Sequence, residues 1–266
     1  MFEYFDIHSH LYFSGFDKDR EEEIEKMKEA KIGTISIGVD FATSQTCVEF
    51  ADKYENLFAC IGQHPGDITL DTVFDTRLEK LGNHPKVVAV GETGLDYFRM
   101  SPDDGVLKSI QKTIFEYHID LALTLNKPLM LHIRSSKGTM DAYSDALDIL
   151  EHHHRTSGGA LKGNAHFFAG DTEVLKRFLS LGFTVSFTGV ITFTKDYDEL
   201  IKATPIDMLM SETDAPFVAP EPYRGQRNSP YYVDKVVARI AELKELSLED
   251  TKSAILVNIS RVFGIQ

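Results

Sequence analysis

Cysteine is scarce: the 266-residue chain has two, Cys47 and Cys60. Both fall in apolar segments that read as core, which excludes a disulfide scaffold and suits a reducing compartment. Long hydrophobic runs are missing too, and no stretch approaches the roughly 18 apolar residues of a membrane span. The opening Met1-Phe2-Glu3-Tyr4-Phe5-Asp6 is acidic and lacks a basic segment leading into an apolar one. No secretory signal is expected, and the expected location is cytoplasmic. Positive charge is in deficit, with 28 Lys plus Arg against 41 Asp plus Glu and a formal net charge of −13. Such a surface does not attract nucleic acid over long range, so action on DNA or RNA has to come from a local site carrying its own cations. No linker, low-complexity segment or charge block divides the chain, so residues 1–266 are expected to form one domain. The composition, 42% hydrophobic and 26% charged, is that of an ordinary globular protein long enough to bury a core without staples.

Short apolar runs alternate with helix-periodic, charged segments. The candidate strands are Tyr4–His8, Thr34–Val39, Leu57–Ile61, Val87–Gly91, Pro128–Ile133, Gly163–Phe167, Thr184–Phe187 and Met208–Ser211. Candidate helices lie over Lys18–Ala30, Thr43–Tyr54, Thr72–Leu81, Leu107–Leu125, Met140–His152, Thr172–Leu181, Tyr197–Ala203 and Ser229–Leu243. A last helix starts near Ser247, where Ser247-Leu248-Glu249-Asp250 reads as a capping box. In Leu107–Leu125 the stripe Leu107, Ile110, Ile114, Tyr117, Leu121 and Leu125 is expected to face the core. Eight strand–helix units in about 260 residues match an α/β fold of the (β/α)8 TIM-barrel type, with a doubly wound sheet as the alternative.

In such a barrel the catalytic groups gather at the C-terminal ends of the strands. That rule sorts the ten histidines: His8, His10, His64, His132 and His166 fall at or just beyond strand ends. His84, His118 and the run His152-His153-His154 do not. In Asp6-Ile7-His8-Ser9-His10 the two imidazoles are two residues apart, on one face of an extended chain, and so able to converge on one ion. Other strand ends add Glu92, His132, His166 and Asp214. Ionisable groups ending apolar strands are costly to bury unless paired or metal-bound. Four histidines and two carboxylates without cysteine suit a hydrolytic site for one or two divalent cations rather than a structural zinc. Each ion lowers the pKa of a bound water, and two together stabilise attacking and leaving oxygens.

The motifs resemble those of the TatD family of metal-dependent hydrolases, the TatD-like deoxyribonucleases. The resemblance runs through Asp6-Ile7-His8-Ser9-His10-Leu11, Gly62-Gln63-His64-Pro65, Gly91-Glu92-Thr93-Gly94-Leu95-Asp96-Tyr97, His132-Ile133-Arg134 and His166-Phe167-Phe168-Ala169-Gly170. It continues through Glu212-Thr213-Asp214-Ala215-Pro216, Arg224-Gly225-Gln226-Arg227-Asn228-Ser229-Pro230 and Asn258-Ile259-Ser260-Arg261-Val262-Phe263. It implies an amidohydrolase-like barrel with two divalent ions, Mg²⁺, Mn²⁺ or Zn²⁺, at its mouth. His8, His10, Glu92 and Asp214 would hold one ion and Glu92, His132 and His166 the other, with Glu92 bridging where related amidohydrolases often carry a carboxylated lysine. Gln63, and the Phe-Phe-Ala within the sixth-strand motif, depart from the family pattern without removing a ligand. The implied activity is a deoxyribonuclease, an exonuclease in expectation, that cleaves phosphodiester bonds with a metal-activated water. Asp214 would take the proton, with Glu92 as the other catalytic carboxylate, and His64, Arg134 and Arg224 would contact substrate, with Arg227 beside them. The expected partner is DNA, single-stranded or with free ends, with no membrane and no obligate protein partner. The alternative is an amidohydrolase or esterase, a D-aminoacyl-tRNA deacylase included, using the same metal site.

Plainer roles stand beside these. His64 before Pro65 also suits a turn, Arg134 also suits a pair with Asp96, and Glu212 suits orienting a ligand histidine. Arg224 and Arg227 sit in a loop where charge is commonly solvated. Consecutive helical residues point about 100° apart, so His152-His153-His154 reads as a solvated helix end, and Glu21-Glu22-Glu23 as an acidic first helical turn. Tyr97, Phe168 and Phe217 suit base stacking or loop packing.

Overall fold

The apolar runs become eight parallel strands, in a computed structural model that describes residues 1–101 and 103–266. They are β1 (Tyr4–Ser9), β2 (Ile32–Ile37), β3 (Leu57–Ile61), β4 (Val87–Asp96), β5 (Leu129–Arg134), β6 (Gly163–Ala165), β7 (Thr184–Phe187) and β8 (Leu209–Ser211). The sheet runs in sequence order from β1 to β8, every neighbouring pair parallel. Between them lie α1 (Arg20–Glu29), α2 (Phe41–Lys53), α3 (Arg77–Leu81), α4 (Gly105–Leu125), α5 (Asp141–Thr156), α6 (Thr172–Ser180) and α7 (Asp198–Ala203), and after β8 come α8 (Val233–Lys244) and α9 (Leu248–Phe263). This is the TIM-barrel architecture; a doubly wound sheet would not run in sequence order.

The β8–β1 seam closes by other means than a full ladder. A parallel bridge joins Ser9 to Ala215, Asp214 N–H donates to His8 O at 2.9 Å, and His10 N–H donates to Ala215 O at 2.7 Å. The buried Asp6 side chain accepts, through Oδ1, from the N–H groups of His8 at 3.1 Å and Thr213 at 2.8 Å. The seam therefore fixes, through its own hydrogen bonds, the backbone that carries His8, His10 and Asp214.

Two expectations change. β4 does not stop at Gly91 but pairs with β5 as far as Asp96, after a register shift between Val90 and Thr93. A run of Gly, Glu and Thr hides this from the sequence. Gly91 sits at φ +153°, and a Cβ there would strike the carbonyl oxygen of Met130, so only glycine lets the strand continue at this point. The second change is the buried face of α4. Tyr117 is half exposed and Leu107 and Ile110 only partly buried, whereas Gln111, Ile114, Phe115, His118 and Ile119 face inward. Two polar side chains belong to that face because they bind strand-end loops. Gln111 donates to Pro65 O at 2.7 Å and accepts from Asp96 N–H at 2.9 Å. Other differences are smaller: α3 starts at Arg77 rather than Thr72, and β6 ends at Ala165, just before His166. Ser247 caps α9 as expected, accepting from Asp250 N–H at 3.0 Å. No helix among the described residues is long and apolar enough to cross a membrane.

His118 is fully buried, its Nδ1–H donating to Ile114 O at 2.8 Å and its Nε2 accepting from Gln63 N–H at 3.0 Å. Burial pushes this imidazole down to about 4 from its ordinary 6.5, against the Ile114 hydrogen bond. The native state therefore resists a proton that the unfolded chain accepts, and stability is lost as pH falls from 6.5 toward 4. His118→Gln removes that dependence, which is worth roughly 3 kcal/mol in full. In urea denaturation the variant is the less stable at neutral pH, and its deficit shrinks as the pH falls through this window.

Candidate metal centre

β1 points His8 into the mouth and carries His10 just beyond its end, β4 brings Glu92, and the turn after β8 brings Asp214. Asp214 adopts φ +56°, a left-handed conformation that Asp and Asn tolerate better than most residues. Four donor atoms converge. His8 Nε2 lies 3.3 Å from His10 Nε2, 3.4 Å from Glu92 Oε2 and 3.7 Å from Asp214 Oδ1. His10 Nε2 lies 3.8 Å from Glu92 Oε2 and 3.5 Å from Asp214 Oδ1. A tetrahedron of N and O ligands about 2.0–2.2 Å from an ion has edges of roughly 3.3–3.6 Å, so His8, His10 and Glu92 form a group that could hold a divalent cation, with Asp214 Oδ1 within 3.7 Å of both histidines. His10 Nδ1 faces Ile37 O at 3.1 Å. Donation there leaves the Nε2 lone pair for the ion.

The other oxygen of Glu92 faces a second group. Its Oε1 lies 2.9 Å from His132 Nδ1, 3.0 Å from His166 Nε2 and 3.5 Å from His64 Nε2. His132 is held from its far side by Asp96 Oδ2 at 3.0 Å. His166 Nδ1 faces Glu212 Oε2 at 3.3 Å, while Glu212 Oε1 accepts Phe167 N–H at 2.6 Å. Four of the proposed ligands, His8, His10, His132 and His166, thus come together around the fifth, Glu92, and the sixth, Asp214, meets His8 and His10. His64 differs from the others because its Nδ1 accepts Gly66 N–H at 3.0 Å. That tautomer puts the ring hydrogen on Nε2, aimed at Glu92, so His64 presents a donor rather than a lone pair.

Charge within the cluster is strongly coupled. Burial opposes ionisation of Glu92, but His64, His8 and His166 outweigh it and hold the carboxyl well below its ordinary range. Burial likewise opposes charge on His166, yet Glu212 and Glu92 facing it from two sides hold it well above 6.5. His10 and His132 are raised in the same way by their carboxylate neighbours, whereas burial lowers His8. Without an ion, the raised imidazoles contribute stability that is present below 6.5 and lost as pH rises through their raised values. A metal ion has to displace those protons. Its affinity is therefore expected to rise with pH, and titration calorimetry in buffers of differing ionisation enthalpy should read net proton release.

These side chains open into a cavity of about 660 Å³ lined by Tyr12, Phe13, His64, Arg134, Phe167 and Phe217 among others. Arg134 lies on its wall with its guanidinium over the Phe98 ring at 3.7 Å; the alternative partner Asp96 is engaged by His132. Arg224 is not brought to this cavity. Its guanidinium covers Phe193 at 3.7 Å and donates to Ala219 O. Arg227 makes a two-pronged pair with Asp19, at 2.6 and 2.7 Å. Phe217 lines the mouth, but Tyr97 and Phe168 are fully buried. Phe13 and Tyr12, which the sequence did not single out, reach the mouth because the chain continues past His10 over the rim. His152, His153 and His154 lie on the last turns of α5, away from the centre. A second cavity of about 510 Å³, between residues 72–76 and α4, has no ionisable lining except Tyr117 among the described residues.

Known proteins with related sequences and structures are consistent with this geometry. Residues 5–264 match the family model described as TatD related DNase. A Bacillus subtilis protein named as the uncharacterized metal-dependent hydrolase YabD is 39% identical over 266 residues, covering 98% of this chain and 99% of its own. The crystal structure of YJJV, a TatD homolog from Escherichia coli, superposes with a TM-score of 0.84 at 26% identity, over 99% of both chains. An amidohydrolase structure from Saccharomyces cerevisiae shares the fold, with a TM-score of 0.82 at 19% identity over 99% of this chain and 100% of its own.

Proposed function

Because the chain belongs to the TatD-related DNase family, we propose that it is a divalent-metal-dependent hydrolase that cleaves phosphodiester bonds in DNA from free ends. The observation that carries this reading is the division of Glu92: one oxygen faces His8 and His10, the other His132 and His166. One carboxylate shared between two groups of imidazoles suits a two-ion centre. In this reading His8, His10, Glu92 and Asp214 hold one ion, and Glu92, His132 and His166 the other. Bound Mg²⁺, Mn²⁺ or Zn²⁺ would make water a stronger nucleophile at neutral pH and offset charge on the phosphate.

The chain's own groups do the rest. Burial opposes ionisation of Asp214, but the facing histidines keep its carboxyl below the ordinary range, so at neutral pH it is ionised and able to accept a proton. His64 and Arg134 line the cavity, and their N–H groups would serve as donors for phosphate oxygens, that of His64 turning from Glu92 to do so. The aromatic mouth, Phe13 and Phe217 included, suits bases splayed from a single strand. With a net charge of −13, the surface contributes little attraction, so short or single-stranded ends are favoured over long duplexes. Residues 1–266 act as one unit in this reading. The place of action is the cytoplasm, where the unpaired Cys47 and Cys60 stay reduced.

The test is a time course on an end-labelled single-stranded oligonucleotide, using metal-stripped protein resupplied with Mg²⁺, Mn²⁺ or Zn²⁺ singly. A metal-dependent ladder is expected, its direction giving the polarity. Metal uptake with no cleavage, together with hydrolysis of a carboxylic ester or an aminoacyl-tRNA, would overturn the phosphodiester reading.

A further inference from the structure

In this centre each histidine needs its second ring nitrogen fixed, because that fixes which nitrogen offers a lone pair. His10 is fixed by Ile37 O, His132 by Asp96 and His64 by Gly66 N–H. His8 and His166 are the exceptions. Their rings stack face to face, centroids 3.7 Å apart and planes 9° from parallel. Their Nε2 atoms both face Glu92, at 3.4 and 3.0 Å. Among the described residues, the Nδ1 atoms of both are buried without a well-aligned hydrogen-bond partner, and so is Glu212 Oε2, although His166 Nδ1 and Glu212 Oε2 approach to 3.3 Å. One ligand atom from each of these three residues lies within 4.8 Å of the others.

We propose that Glu212 is a positioning residue common to both halves of the metal centre, taking the Nδ1–H of His166 directly and that of His8 through one enclosed water. This rests on the preceding reading that both histidines are metal ligands. Both must then carry hydrogen on Nδ1, and two buried N–H donors require an acceptor. Glu212 is the carboxylate grouped with the two. Its Oε1 is committed to Phe167 N–H at 2.6 Å, which aims Oε2 at His166, 3.3 Å away. A ring nitrogen of His8 lies within 4.8 Å of a Glu212 oxygen; with Nε2 of both stacked rings turned to Glu92, we assign the water to the gap on the Nδ1 side, since a gap of that order is one that a single water spans with two hydrogen bonds of about 2.8 Å. Glu212 thereby links a ligand of the first ion to a ligand of the second.

The informative substitution is Glu212→Gln. Phe167 N–H still demands an oxygen, so the amide nitrogen turns toward the histidines and presents hydrogens to hydrogens. The experiment uses zinc-loaded protein with ¹⁵N-labelled histidine, recording ring N–H resonances and zinc affinity. Wild type is expected to give slowly exchanging Nδ1–H signals for His8 and His166, with a water contact at His8. The variant is expected to lose both signals and to bind zinc roughly 10–100-fold more weakly, at both positions rather than one. A residue that served only to fill space would lower the melting temperature and leave the ring signals in place. Unchanged signals and affinity in the variant would overturn the proposal, as would loss confined to His166. Should the variant not fold, the His8 water contact in wild type decides, and its absence overturns the shared role. Failure of wild type to take up zinc overturns the metal reading and this proposal together, whereas normal uptake with an indifferent variant overturns this proposal alone.

Discussion

Glu92→Gln and Asp214→Asn are each expected to reduce metal-dependent turnover by roughly a thousandfold or more while leaving the barrel folded. Glu92 is 3% exposed, and its two oxygens meet the two sets of imidazoles. Glutamine keeps its shape but offers one neutral oxygen and one amide nitrogen, so one set always meets a donor in place of an acceptor. Ion content is expected to fall at both positions. Asp214 is different, because its backbone is left-handed at φ +56° and alanine would be strained there. Asparagine accepts that conformation and removes the charge that both accepts the proton and helps hold the first ion, so kcat and ion content at that position fall together with the seam intact. Metal analysis, circular dichroism and steady-state kinetics on both variants check this. Full activity in either overturns the assignment.

The sequence was most informative where a local rule decides the outcome. Two-residue alternation placed His8 and His10 together, and the rule that barrel strands end in chemistry collected Glu92, His132, His166 and Asp214 from positions far apart in the chain. Its reach ended wherever a distant partner decides. Arg224 stacks on Phe193 and Arg227 pairs with Asp19, a partner 208 residues away, so loop position alone could not separate them from Arg134, which does line the cavity. Glu212 was legible as an orienting residue, but its grouping with the stacked imidazoles of His8 and His166 depends on how β1, β6 and β8 stand in the closed sheet. The buried face of α4 was misread because Gln111 and His118 count as polar in any periodicity, while their hydrogen bonds to Pro65, Asp96 and Gln63 make them interior. The spacing Gln111 to His118, seven residues and so two helical turns, was the available signal.

Asp6→Ala is expected to be among the most destabilising single changes in the protein, costing about 3–5 kcal/mol, whereas Asp6→Asn stays within about 1 kcal/mol of wild type. Asp6 is fully buried at the β8–β1 seam. Its Oδ1 accepts from two backbone N–H groups, those of His8 and Thr213, and its Oδ2 meets Thr213 Oγ1 at 2.5 Å. Alanine leaves both N–H groups buried without an acceptor, each costing about 1–3 kcal/mol, and loosens the turn that carries Asp214. Asparagine keeps the accepting oxygen and turns its amide toward Thr213 Oγ1. Burial, with Glu212 adding to it, pushes the native carboxyl well above 3.8 against the hydrogen bonds from Thr213 and His8, in the direction of the neutral form that asparagine mimics. The sign follows: as pH rises above 3.8 the unfolded chain ionises this group while the native state resists, so wild type loses stability up to the raised value. Asp6→Asn lacks that loss and should gain on wild type as pH increases. Denaturant midpoints for the three proteins across pH measure all of this together. An alanine variant as stable as wild type would show that the bridge at Ser9 and Ala215 closes the barrel without Asp6.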